Sequence, residues 1–404
     1  MQAALKKLYE SGRRWLALRA ANQLRRRCRS RPTNVFRVSQ KERDIRRVQI
    51  WQGGEPEWAL SMRAPSRPPQ KLCFRENMRE SMRFMEDVRR ASHRAMRSKR
   101  KLIDRSRGPY ALPRLGGYSD FSYPNYISTA AAVVLAAEFE RLGKAHGEIP
   151  PTVDLDKWND GVFRKLFQIG FFEIVGITPQ RDDVVIDEGD TRTVQIISTK
   201  NADDLGKVDA ALQSLGTFMN PDGSLPDDIL IEFLTGLSEA MSNVTNHAYP
   251  PDYEPDYPHI GQLWVAATAD RTNKTLTVVV YDQGVSIPVT YPRIQRVDRV
   301  VHYLTRALRK APEFDFQNDG TYIRAAMKHG GSRTDQKHRG KGLPQMVEVL
   351  ERTGRGKLSV YSRGGWCTRD SDGRLKSGAV PFSVGGTLIE WAVELTQTPA
   401  VISS

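Results

Sequence analysis

The chain has 404 residues, 39% hydrophobic and 27% charged, which excludes a disordered polypeptide and makes two or three domains the expectation. Its net charge of +14 is uneven: residues 1–110 hold 30 Lys and Arg against 10 Asp and Glu, and the rest is mildly acidic. This excludes a uniformly basic nucleic-acid coat and leaves a basic arm suited to nucleic acid, an anionic membrane surface or an acidic protein partner.

Residues 1–70 read as a basic N-terminal extension, with the cluster Arg25, Arg26, Arg27 and a proline-rich stretch at Pro65, Pro68 and Pro69. Within it, 5–29 is arginine-rich and acid-poor, a pattern shared by transit peptides, interfacial helices and plain solvated basic helices. Residues 71–180 read as a small α/β unit. The pattern predicts a basic amphipathic helix over 77–97, a short strand over 98–103, loop over 110–126, an alanine-rich helix over 129–142 and a buried helical stripe over 163–175. An acidic connector, 182–190, falls in the linker 181–199. Residues 200–398 read as a larger α/β unit. It has a long helix over 226–248, strands over 263–268 and 275–281, helical segments between 298 and 328, a glycine-rich stretch over 330–342, a helix over 344–352 and strands over 358–361 and 387–393.

Cys28, Cys73 and Cys367 have neither disulfide-framework nor zinc spacing, so a reducing cytoplasm is expected. No apolar run reaches the ~18–20 residues of a membrane span.

The helix over 226–248 carries the first chemical signal. Leu230, Phe233, Leu234, Leu237, Met241, Val244 and Ala248 fall on one stripe. Glu239, Asn243 and Asn246 lie on the other side, and the helix has no Lys or Arg. A carboxylate and an amide one turn apart can meet one ligand: the amide oxygen suits Mg²⁺, and the carboxylate can orient or deprotonate a nucleophile. A solvated polar face explains the same pattern without a ligand. Next, Asp282, Gly284, Ser286, Ile287 and Pro288 follow the end of a strand. An aspartate there can accept from an exocyclic amine, as adenine would offer. Then Arg339, Gly340, Lys341, Gly342 and Leu343 precede a helix, where backbone N–H groups and the helix dipole favour phosphate. The P-loop and dinucleotide fingerprints are absent.

Taken together and in this order, these pieces resemble the GHKL, or histidine-kinase-like, ATPases. Residues 237–249 resemble the N-box, especially that of anti-sigma-factor serine kinases. Asp282-x-Gly284-x-Ser286-Ile287-Pro288 resembles the G1 box, with Ser286 where glycine is usual. Gly340 to Leu343 resembles the G2 box, and Gly386-Thr387 the terminal Gly-Thr motif. The resemblance covers about 200–397. It implies a two-layer α/β sandwich (the Bergerat ATP-binding fold) that binds ATP and Mg²⁺. Carried over, Glu239 is the general base, Asn243 the metal ligand and Asp282 the adenine contact. Gly284 allows close approach of the ring, Ile287 and Thr387 complete the adenine pocket, and Arg339, Gly340, Lys341, Gly342 and Leu343 wrap the phosphates beneath a lid over 333–339. Residues 78–176 more weakly resemble STAS domains, anti-sigma-factor antagonists. Ser128 and Thr129 stand where a phosphoacceptor would, or Ser128 is simply a helix N-cap.

The expected function is therefore ATP-dependent interaction with a protein partner, with slow hydrolysis or serine/threonine phosphotransfer. Two alternatives are an ATP-driven clamp meeting nucleic acid through residues 1–110, and a sensor histidine kinase using His93.

Overall fold

The computed structural model describes residues 45–51, 55–98, 101–106, 108, 111–179, 181–186, 189–200, 204–221, 225–253, 255–291, 316–329 and 342–395. The basic stretch over 5–29 and the proposed lid over 333–339 lie outside these residues. The chain begins with the hairpin β1 (Arg46–Trp51) and β2 (Pro56–Ser61), then β3 (Lys71–Leu72), helix α1 (Phe74–Arg97), β4 (Ile103–Asp104), β5 (Arg114–Leu115), β6 (Tyr126–Ile127), α2 (Thr129–His146) and β7 (Thr152–Val153). Next come α3 (Asp160–Gln168), α4 (Phe171–Ile174), β8 (Thr191–Thr193), β9 (Ile197–Thr199), α5 (Leu205–Met219) and α6 (Asp227–Asn243), whose last turn over Val244–Ala248 is π-helical. The rest is β10 (Leu263–Asp270), β11 (Thr275–Asp282), α7 (Ile287–Thr290), α8 (Asp319–His329), α9 (Gly342–Thr353), β12 (Gly356–Ser362), β13 (Gly365–Asp370), β14 (Leu375–Ala379) and β15 (Thr387–Glu394).

The molecule is mixed α/β, built around an antiparallel sheet in the order β14-β13-β12-β15-β11-β10-β8, with β9 also pairing β10. Its central strands are apolar almost throughout because both faces are buried. Successive side chains alternate between faces. Leu263, Val265, Ala267, Val278, Val280, Ile389 and Trp391 join α5, α6, α8 and α9 on one side, the front. Trp264, Ala266, Val279, Tyr281 and Leu388 join α1 and α2 on the other, the back. Trp391 Nε1 donates to the Met346 carbonyl at 2.8 Å, tying α9 to the front.

On the back, residues 130–137 of α2 are fully buried, and the small side chains of Ala130, Ala131 and Ala132 near its start let the helix lie close to β10 and β11. Ser128 caps α2 by accepting the Ala131 N–H at 3.2 Å, and Gly147, at φ 76°, closes it. Thr129 is buried and hydrogen-bonds Thr268 of β10 at 2.7 Å, beside Thr193 and Lys165. Of the two proposed phosphoacceptors, Ser128 is occupied as a cap and Thr129 is turned into the core.

Several sequence expectations need correction. The extension over 1–70 includes a folded hairpin: β2 pairs with β5 and β1 with β7, giving a five-stranded sheet that crosses residue 70. Residues 71–180 share a core with the later part of the chain. Their strands are two residues long, and their two long helices pack on the sheet of the later part of the chain. The front helices and sheet make two layers, and α1 and α2 add a third. The helical stripe over 163–175 breaks at Gly170, at φ 80°. Of the strand over 98–103, Ile103 alone is extended among the described residues. Helix α5 and strands β13 and β14 were not evident from pattern.

Candidate functional site

A cleft opens on the front between the end of α6, the carboxyl end of β11, the start of β15, α7, α8 and the start of α9. Behind its open mouth it holds a cavity of about 100 Å³. Its walls are largely apolar: Ala240, Val244, Val280, Ile287, Leu343 and Ile389. Its polar groups are few, chiefly Asn243, His247, Asp282, Ser286, Thr290 and Thr387. An apolar pocket with a few convergent polar groups is the usual form of a small-molecule site.

Asp282 ends β11 opposite Thr387 of β15, so both side chains emerge on the front. The carboxyl is 5% exposed. Its Oδ1 accepts the Gly284 N–H at 2.7 Å. Burial pushes its pKa up to about 7, and the backbone donors of Gly284 and Thr387 pull it down only in part. The group is therefore divided between acid and carboxylate near neutrality, and a ligand donating N–H to it favours the carboxylate.

Ser286 follows with φ 83° and ψ 148°, a region almost reserved for glycine. Its hydroxyl donates to the Gly386 carbonyl at 3.3 Å. Ser362, at the end of β12, accepts the Ile287 N–H at 2.9 Å and pairs with the Thr387 hydroxyl at 2.9 Å. A hydroxyl web thus joins the turn after β11 to the start of β15.

On the facing helix the apolar stripe is as expected: Phe233, Leu237, Met241, Val244 and Ala248 are buried. The half-buried Asn243 lines the cleft, where α6 passes into its π-helical turn. Such turns recur at functional sites. Glu239 lies half-buried one turn earlier and is not among the cleft-lining residues. Asn246 is exposed and bonded back to Ser242, so it belongs to the solvated face.

The structure thus brings together Asn243, Asp282, Ile287, Leu343 and Thr387 from five separate elements. Gly342 is the first residue of α9, next to Leu343. Arg339, Gly340 and Lys341 lie outside the described residues. At Gly284 a Cβ would collide with the backbone and side chain of Ala248, so its bareness lets the turn dock on the end of α6. The Val285 N–H donates to the Ala248 carbonyl at 2.9 Å in the same contact. Ser362 and His247 went unassigned in the sequence. Ser362 has no motif around it, whereas His247 stands within the N-box-like stretch one turn after Asn243.

No group of three His, Cys, Asp or Glu suited to holding a metal occurs among the described residues. His93 lies on α1, on the back, half-buried against Tyr257 with ring centroids 5.2 Å apart; burial lowers its pKa. Among the described residues no helix is long and apolar enough to cross a membrane. No family model and no curated protein matches this chain.

Proposed function

We propose that the cleft binds Mg·ATP in the manner of the GHKL ATPases and that the protein is a regulatory one, its interaction with a protein partner depending on the bound nucleotide. One observation carries the reading: the buried Asp282 shares an apolar cleft with Thr387 beside it and Asn243 on the facing helix. The residues fit the group. A flat purine suits the walls formed by Val244, Val280, Ile287 and Ile389. Asp282 accepts from the exocyclic amine, and the Thr387 hydroxyl, held by Ser362, serves a ring nitrogen. Asn243 holds the metal, which when bound neutralises phosphate charge. Glu239 is the carboxylate available to take a proton from water or from a partner's serine or threonine hydroxyl. The fold assignment in this reading is the Bergerat sandwich for residues 200–398, in a reducing cytoplasm.

The test is binding and turnover with γ-labelled ATP and Mg²⁺. Wild type should bind ATP, and Asp282→Asn should weaken binding about 30- to 100-fold, the worth of one charge-assisted hydrogen bond. Asn243→Ala should remove the Mg²⁺ dependence. Glu239→Ala should leave binding intact and abolish phosphate release or protein labelling. ATP binding that is indifferent to Asp282→Asn would sink the reading.

A further inference from the structure

The turn 383–386, which delivers Thr387 to the cleft, is gripped from behind by a charge network of α1 and α2. Arg89 of α1 and Glu138 and Arg141 of α2 are each 2% exposed. Arg89 Nε donates to Glu138 Oε1 at 2.6 Å, and Arg141 donates twice to Glu138 Oε2, at 2.7 and 3.0 Å. With that edge satisfied, the Arg89 fork reaches across and donates to the Ser383 and Val384 carbonyls at 3.3 and 2.8 Å. Glu86, one turn earlier, accepts the Ser383 N–H at 2.9 Å. Tyr281 of β11 also donates to the Val384 carbonyl, at 3.1 Å. Gly385 has φ 91°, and a Cβ there would overlap the guanidinium, so the turn is shaped around Arg89. The next carbonyl, Gly386, accepts from Ser286 and Ser362, and Ser362 in turn holds Ile287 and Thr387.

We infer that Arg89 is a positioning residue for the cleft: its guanidinium fixes the 383–386 turn, and through the Gly386 carbonyl it sets Ser286, Ile287 and Thr387 for the ligand. This rests on the nucleotide reading only for the identity of the ligand. The planar fork matters more than the charge, because two carbonyls and a carboxylate must be met at once. Packing by α1 and α2 is therefore sensed at the cleft from the opposite face of the sheet.

Arg89→Lys keeps the charge beside Glu138 and loses the fork. Arg141→Lys perturbs the same network, but Arg141's other bond, 3.1 Å to the Pro258 carbonyl, leads away from the turn. Two readouts are needed: affinity for ATP, and amide hydrogen exchange over 283–288 and 383–388 without ligand. Arg89→Lys should weaken ATP about tenfold and speed exchange in both segments about tenfold, whereas Arg141→Lys stays within about twofold on both. Equal effects of the two variants after matching their melting temperatures would overturn the inference, as would unchanged exchange in Arg89→Lys. If wild type binds no ATP, the nucleotide reading fails, and the exchange comparison decides the positioning role alone.

Discussion

Asp282 and Glu390 stand on neighbouring strands of one sheet but on opposite faces, and burial pushes both pKa values up to about 7. Their surroundings differ. Asp282 lines a cleft and accepts a backbone N–H. Glu390 faces the start of α1 in closed packing, with Arg75 no nearer than 4.0 Å and Oε2 without a hydrogen-bond partner. The back face also holds Glu138, as deeply buried, whose pKa is lowered because Arg89 and Arg141 outweigh its desolvation. Depth alone therefore does not set the cost of a carboxylate; the cations and donors supplied around it do. On the front, an under-compensated carboxyl opens to a cleft that a ligand can enter.

The largest effect should come from the compensated group. Glu138→Ala leaves Arg89 and Arg141 buried without their counter-charge and should destabilise the fold by about 3–5 kcal/mol. Denaturant titration measures it. A loss below about 1 kcal/mol would mean that the network is open to water and that the contrast with Glu390 is false.

Next come the two raised carboxyls, which should separate by pH. A group whose folded pKa is about 7 and whose ordinary value is 3.8 or 4.5 binds more protons folded than unfolded between those limits. Each carboxyl therefore lowers stability as pH rises from about 4 to about 7, by at most about 3.5–4.5 kcal/mol at roughly 1.4 kcal/mol per unit. Asp282→Asn and Glu390→Gln should each raise the melting temperature at pH 8 more than at pH 4.5. Only the first should change the ligand's behaviour. In wild type, ATP affinity should fall about tenfold per unit as pH drops below 7, because the amine needs the ionised Asp282 as acceptor. Glu390→Gln should keep that slope and Asp282→Asn should abolish it. The same slope in both variants would erase the distinction between the faces.

The front was the more legible half because its chemistry is local. The stripe from Phe233 to Ala248, the Asp282 turn and the Gly386-Thr387 pair each occupy a short run with its own pattern. Strands β10 and β11 read as strands because β-branched residues surround a polar turn at 270–273. The back was opaque because its logic is long-range. Arg89 in the sequence is one of many arginines in a basic helix, and only the fold shows it reaching Ser383, 294 residues away. Charge counting places residues 46–61 in the basic extension because the hairpin's partners, β5 and β7, lie more than fifty residues downstream. Thr129 reads as a phosphoacceptor position by resemblance alone, because its partner Thr268 comes from a distant strand. Gly284 is legible as a necessary glycine, and the fold adds a neighbour the sequence does not show, the end of α6.

The smallest expected effect tests whether the front face carries strain that the back does not. Ser286 holds φ 83° at the lip of the cleft, which costs about 1–3 kcal/mol for a residue with a Cβ. Against this, its hydroxyl bond to Gly386 returns about 1 kcal/mol. Ser286→Gly removes the strain and the bond together and adds chain entropy to the unfolded state, so a net stabilisation of about 0.5–1 kcal/mol is expected. Ser286→Ala removes the bond and keeps the strain, and should destabilise by about 1 kcal/mol. The two variants should therefore move thermal stability in opposite directions, with Gly above wild type and Ala below. If Ser286→Gly instead destabilises more than Ser286→Ala, the lost hydroxyl bond and the added chain entropy account for the whole effect and the backbone there is not strained. If Ser286→Gly also leaves ATP affinity unchanged, the serine serves the turn; if affinity falls, its hydroxyl serves the ligand as well.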